Sequence, residues 1–325
     1  MIYLDHNATT PILPEVLEAM MPYLTTEWGN PSSAYKIGAK LKSVIETARE
    51  QVAELIGAPS RDVIFTSCAT ESNNAAIAAA LRATGVPPVS GPDTNSRAGR
   101  PRHAKRHIIT SHVEHSSVLN YCMALEKEGY RAAYLPVDRE GLLNLADLEV
   151  AITDETAVVS LMWANNETGV LFPVESIAEI WRSRGVLYHC DAVQAAGKVE
   201  IDVRKVPADY LSLTGHKFHA PKGIGARNLS RWNRDVRRKS PFSPLVYGAH
   251  QERDRRGGTE SVPLIVGMGK AAHLARKHLP GYEKKVCPRS GEFTSPICRR
   301  KAAVTIERSA DPFPRSAAFT SKSSC

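Results

Sequence analysis

Apolar residues recur at helical spacing from Glu15 to Met20, and again from Ala39 to Ile56, where Gly57 supplies a C-terminal stop. The short β-rich run Asp62-Val63-Ile64-Phe65-Thr66 follows, and then an Ala-rich segment that predicts a helix over about 72–83. The alternation continues with predicted strands at 107–110, 132–136, 156–161, 186–190 and 209–213. Predicted helices lie between them at about 117–128, 145–152 and 174–183. Strands alternating with helices predict an α/β fold, with a mainly parallel sheet sandwiched by helices. Such sheets bind ligands outside the carboxyl ends of their strands, so the polar clusters at those ends are the places to look for chemistry.

Three stretches break the pattern. Residues 84–106 hold four prolines and three glycines and read as a long exposed insertion. Residues 227–240 follow Gly223-Ile224-Gly225, where a buried strand is expected, yet they show almost no apolar alternation. Residues 286–325 are rich in Ser, Arg and Pro, without a sustained period, and read as a disordered tail.

The net charge of +8 suggests nucleic acid, but its location argues otherwise. Segments 84–106, 227–256 and 286–325 carry net charges of +4, +6 and +4, so the rest of the chain is acidic overall. The basic residues lie in loops and a tail rather than on one folded face with stacking aromatics, so no nucleic-acid partner is expected. No apolar run approaches a membrane span, and the first residues carry no export pattern. Six cysteines without a Cys-x-x-Cys pair suit a cytoplasmic chain with neither a disulfide framework nor a structural metal.

Five strand ends carry the candidate chemistry. Thr66-Ser67-Cys68-Ala69-Thr70 enters a helix, either as an anion site or as a plain N-cap built on Thr70 or Ser72. His112-Val113-Glu114-His115 offers two imidazoles, for which structural, stacking and proton-moving roles all stay open. Ala164-Asn165-Asn166-Glu167-Thr168-Gly169 is a polar knot or an ordinary turn. Asp191 ends an apolar strand, where a carboxylate needs a cation or donors, and Lys217 follows Thr214-Gly215-His216 as either a surface residue or a poised amine. Cys68 and Cys190 flank these positions and are expected as buried packing residues. Together the pieces match pyridoxal 5'-phosphate (PLP). That cofactor needs a lysine, a carboxylate for its pyridine nitrogen, a stacking ring and a helix N-terminus for its phosphate. Lys217, Asp191, His115 and Ala69-Thr70 supply those parts.

The chain resembles the cysteine desulfurases of the nitrogen-fixation type, in the class V group of fold-type I PLP enzymes. The likeness runs through YLDHNATTPILPEVLEAMMP, WGNPSSAY, VIFTSCATESN, ITSHVEHSSVL, SLMWANNETGVLFPV, YHCDAVQAAGK, HKFHAPKGIGA and RRGGTESVPLIVGMGKAA, over roughly residues 1–285. The resemblance implies that Lys217 is the Schiff-base lysine, that Asp191 partners the pyridine nitrogen, and that His115 stacks on the ring and moves protons. It also implies that Gln194 bonds the phenolic oxygen, and that Asn166 lies near the cofactor and the substrate carboxylate. Ala69, Thr70, Thr214 and His216 match the phosphate cradle. Thr259 matches a residue that reaches the phosphate of a partner subunit, which implies a homodimer.

The implied organisation is an N-terminal arm over 1–14, a PLP-binding large domain over 15–262, and a connection to a small domain beginning at 263–285. The implied reaction takes L-cysteine to L-alanine and passes sulfur, through a persulfide on an enzyme cysteine, to an iron–sulfur scaffold or a sulfur carrier. After about Lys285 the likeness stops, so the family's nucleophilic cysteine loop and its substrate-binding arginine are not matched. Cys287, Cys298 and Cys325 sit in no corresponding motif. Compensating frameshifts over 227–240, and one near residue 286, would account for both departures. The nearest enzymatic alternative is a selenocysteine lyase, and the alternative from another class is a non-catalytic PLP-binding remnant.

Overall fold

The structure, a computed structural model, describes residues 3–84, 105–230 and 241–286, with side chains in the last stretch described as far as residue 280. Most of the proline-rich insertion and the C-terminal tail expected from the sequence lie outside the described residues.

Seven strands form one sheet: β1 (Val63–Thr66), β2 (His107–Ser111), β3 (Arg131–Leu135), β4 (Thr156–Met162), β5 (Leu187–Asp191), β6 (Tyr210–Thr214) and β7 (Gly225–Leu229). Their order is β1-β7-β6-β5-β4-β2-β3. The pairs from β3 through β2, β4 and β5 to β6 are parallel, and β7 runs antiparallel to both of its neighbours. The carboxyl ends of β1, β2, β4, β5 and β6 therefore share one edge.

Alternate residues along the strands enter two separate cores, as a sheet buried on both faces requires. Ile64, Ile108, Val158, Leu187 and Tyr210 pack with α3 (Ala69–Ala83) and α4 (Ser116–Lys127). Phe65, Ile109, Val159, Tyr188 and Leu211 face the other core. That side is covered by α1 (Pro14–Thr25), α2 (Lys36–Leu55), α5 (Leu145–Ala151), α6 (Val174–Arg184) and α7 (Val262–Val286). Ala75 through Leu81 are all buried, because small side chains bring α3 close to the sheet.

The structure corrects three expectations. The glycine-led stretch does form a strand: Gly225–Leu229 pairs on both sides even though Arg227 and Asn228 are fully buried within it. Backbone pairing with β1 on one side and β6 on the other outweighs the poor side-chain pattern there, and residues 231–240 lie outside the described residues. The helix expected from Ser72 begins at Ala69, with Cys68 in extended conformation as its N-cap. Neither Thr70 nor Ser72 caps it. Ser72 instead turns its hydroxyl inward, 2.8 Å from Thr66 Oγ1 and 3.2 Å from the Ala226 carbonyl. Thirdly, Cys68 is only half-buried, whereas Cys190 is fully buried as expected. Among the described residues no helix is long and apolar enough to cross a membrane.

Candidate active site

A cavity of about 200 Å³ lies at the shared strand edge and collects residues from five strand ends. Ala69 and Thr70 arrive from β1, His115 from β2, Asn166 from β4, Asp191 and Gln194 from β5, and Thr214, His216 and Lys217 from β6. Cys68, Met162, Ala164, Val193 and Ala8 complete the wall.

Asp191 is the buried anion of the site, 5% exposed. Val193 N–H donates to its Oδ1 (3.0 Å) and the Asn73 side-chain amide donates to its Oδ2 (2.8 Å). Burial pushes the carboxyl up, against those two donors and the positive potential of His115 and Lys217. A carboxylate held this way on a cavity wall favours a cationic or N–H-bearing ligand atom.

Lys217 donates to the main-chain carbonyl of Asn7 and to that of Ala8 (3.1 Å). Burial holds its amine below the usual lysine range, while Asp5, Asp191 and Glu167 pull the other way. A depressed amine that holds only carbonyl partners is suited to nucleophilic or base chemistry.

α3 presents its first turn to the cavity, and no side chain caps it. Gly225 permits this close docking, since a Cβ there would sit 2.7 Å from the carbonyl carbon of Cys68. Uncapped N–H groups and the helix dipole make this end of the cavity an anion site. His216 bonds Thr9 Oγ1 through Nδ1 (3.2 Å), and burial pushes its pKa down to about 4. The Thr214 hydroxyl donates to the Ile224 carbonyl (3.2 Å), so only its oxygen lone pairs face elsewhere.

The two histidines of the His-x-x-His pair separate. His112 stacks on Tyr134 with ring centroids 5.6 Å apart, and His115 lines the cavity as the N-cap of α4. Gln194 donates to the Asn7 carbonyl (3.0 Å) and accepts from Lys198 (2.7 Å), and Asn166 donates to Glu167 Oε1 (2.5 Å).

Thr259 is not brought to this cavity. It lines a second one of about 220 Å³, with Ser67, Gly223 and Arg256. The segment leading to it is pinned by Glu252, which accepts from Arg49 (2.6 and 2.8 Å) and from Phe65 N–H (2.9 Å). Residues 252–254 take positive φ values of 47°, 58° and 64° in that pinned turn. Glu71, on the first turn of α3, accepts from Arg256 (2.9 and 3.0 Å) and from the Ser67 N–H (2.8 Å), two residues that line the second cavity.

Sequence reasoning missed Asn7, Asn73, Ser117 and Glu114. Glu114 is buried and accepts from the Ser111 hydroxyl and Met162 N–H, both at 2.9 Å. Burial pushes its pKa up to about 8. Only its place between two histidines at a strand end hinted at a role, and Asn73 looked like any polar residue of an Ala-rich helix.

Comparison with known proteins gives a consistent picture. A cysteine desulfurase of Trichormus azollae is 50% identical over 284 residues, which cover 87% of this chain and 65% of that protein. The chain thus spans just under two thirds of the length of this relative. A solved structure described as a NifS-like protein matches with a TM-score of 0.76 at 36% identity, covering 86% of this chain and 71% of that one. Another, described as SspA in complex with cysteine, matches with a TM-score of 0.74 at 37% identity, covering 84% and 72%. The sheet and its covering helices are those of the fold-type I PLP-dependent enzymes. The aminotransferase class-V family model matches residues 2–89 and 94–279, a span that contains every strand of the sheet and every residue lining the cavity. By that match the chain belongs to the class-V aminotransferase family.

Proposed function

We propose that this cavity binds pyridoxal 5'-phosphate and that the protein is a cysteine desulfurase, taking L-cysteine to L-alanine and handing the sulfur to an acceptor protein. The observation that carries this reading is the single cavity that joins a buried carboxylate, a depressed lysine amine and an uncapped helix N-terminus. The fit is chemical at each end. Asp191 keeps a cation-seeking carboxylate at the cavity, and α3 keeps N–H donors there for a phosphate. The 50% identical cysteine desulfurase and the neighbour solved with cysteine support the substrate.

When bound, PLP supplies an electron sink for charge that develops at the substrate Cα. The remaining roles belong to the chain. Asp191 would hold a proton on the pyridine nitrogen, Gln194 would donate to the phenolic oxygen, and His115 would stack on the ring. Lys217 Nζ, which the Asn7 and Ala8 carbonyls hold at the cavity, would anchor the cofactor covalently and, once released as a free amine, would accept the proton from the substrate Cα. Ala69 and Thr70 give main-chain N–H groups to the phosphate, with His216 and Thr214 beside them. Asn166 lies at the mouth for the substrate carboxylate. Thr259, placed outside this cavity, serves the phosphate of a second copy, which makes the working unit a homodimer. We assign residues 1–14 to an arm over the site, 15–262 to the cofactor-binding domain, and 263–285 to the connection with a small domain. A cytoplasmic location and an iron–sulfur scaffold or sulfur carrier as acceptor complete the proposal.

None of the described cysteines is given the sulfur. Cys122 and Cys190 are buried, with thiols pushed up by that burial, Cys122 to about 12. The test is the visible spectrum of the purified protein with PLP, before and after adding L-cysteine. A cofactor band that shifts with cysteine and is absent in Lys217→Ala supports the reading; no band in the unsubstituted protein refutes it. A band that shifts without persulfide or alanine forming would identify a chain that binds but does not turn over.

A further inference from the structure

A chain of directed hydrogen bonds runs from Asp191 to His115, inside the cavity wall. Asn73 is fully buried on α3 and spends both amide hydrogens: one on Asp191 Oδ2 (2.8 Å) and one on Ser117 Oγ (2.9 Å). The carboxylate fixes which end of the amide is nitrogen, because an ionised acid only accepts. With the Asn73 hydrogen on its oxygen, the Ser117 hydroxyl sends its own single hydrogen onward. Its next neighbour is His115 Nδ1, at 2.8 Å. The main-chain N–H of Ser117 points at the same nitrogen (3.1 Å) as part of the helix cap. Two donors converge on Nδ1, so that nitrogen must be the acceptor. A neutral imidazole then carries its one hydrogen on Nε2.

We infer that Asn73 and Ser117 are positioning residues that hold neutral His115 as the Nε2–H tautomer, so that toward the cavity His115 offers a proton rather than a lone pair. Nδ1 is turned back into the start of α4, and Nε2 is the ring nitrogen left for the ligand. The inference rests on the PLP reading for the identity of that ligand, while the tautomer belongs to the chain itself. It divides the proton work of the site: Lys217 accepts, with an amine that burial holds below the usual lysine range, and His115 donates. It also gives one amide, Asn73, a hold on both cofactor-facing groups. A change at Asp191 Oδ2 therefore reaches the imidazole through three hydrogen bonds, each with a fixed donor.

The experiment is a long-range 1H–15N correlation spectrum of the PLP-loaded full chain labelled in its eleven histidines. The His115 signals are identified by their loss in His115→Gln. The expected result is Nδ1 in the unprotonated range and Nε2 in the protonated range. In Ser117→Ala the two nitrogens shift toward each other as tautomers mix, and Ser117→Thr, which keeps the hydroxyl, restores the original positions. Asn73→Ala, which frees the serine hydroxyl to turn, gives a smaller shift in the same direction. A protonated Nδ1 in the unsubstituted protein, or unchanged signals in Ser117→Ala, overturns the inference. Failure of the PLP reading shows separately, as a missing visible band, and the tautomer can still be read on the cofactor-free chain.

Discussion

Strands β5 and β7 flank β6 in one sheet, and both carry polar residues in full burial, but they solve that problem differently. On β5, His189 is bridged on both ring nitrogens, by Ser160 of β4 (2.8 Å) and Ser212 of β6 (2.9 Å). On β7, Arg227 Nε and Nη1 and Asn228 Oδ1 have no hydrogen-bond partner among the described residues. The Arg227 guanidinium instead lies 5.8 Å over the Phe242 ring. A buried polar group is stable when its neighbours complete its bonds and destabilising when they do not. β5 leads straight to Asp191, so its polar interior also sets the register of the site. β7 supplies backbone to the sheet, and its glycine end supports α3, while its central side chains are a local burden.

Three experiments break or sharpen this contrast. The largest effect is expected from His189→Leu, which strands two serine hydroxyls at roughly 1–3 kcal/mol each. Urea unfolding should show a loss of that order, and PLP affinity should fall with it, since Asp191 lies two residues on. An unchanged midpoint would show that β5 tolerates orphaned hydroxyls as β7 tolerates its arginine. Next comes Arg227→Leu, which removes a charge lacking a carboxylate partner among the described residues. It should raise the urea midpoint by the equivalent of about 1–4 kcal/mol. A loss instead would mean that the guanidinium contributes more through Phe242 than its burial takes away.

The effects of pH have opposite signs at the two groups. Burial, helped by the Arg227 charge, lowers His189 from 6.5 to about 3. The unfolded chain therefore binds the extra proton between those values, and stability falls as pH drops from about 6.5 toward 3. Arg227→Leu should move the end of that decline to higher pH. Glu114 is raised from 4.5 to about 8, so the folded chain holds the extra proton and stability falls as pH rises through that window. Glu114→Gln, which imitates the protonated acid, should remove that alkaline decline and leave the acid limb alone.

The same contrast explains what the sequence could reveal. Apolar alternation gave the strands of the parallel part nearly residue by residue, because both faces of the sheet are buried and each strand reads as a short apolar run. It failed at β7, where Arg227 and Asn228 hide a strand that backbone pairing makes anyway. It set α3 three residues late because Thr70 and Ser72 look like caps, while the cap is an extended cysteine whose thiol makes no capping bond. The polar cavity residues were legible since each ends or closely follows a strand, whereas Ala8 comes from the N-terminal arm and gave no such signal. Asn73 and Ser117 were not, because their roles depend on an inter-helix contact that no local period encodes.

The carbonyls that hold the Lys217 amine belong to Asn7 and Ala8, and the same arm touches Gln194 and His216. The partners of this lysine thus lie about two hundred residues before it in the chain. The arm has no seat until β6 has been synthesised and paired. Completion of the pocket therefore waits on a contact of long sequence separation, which incurs its loop-closure cost before it is rewarded.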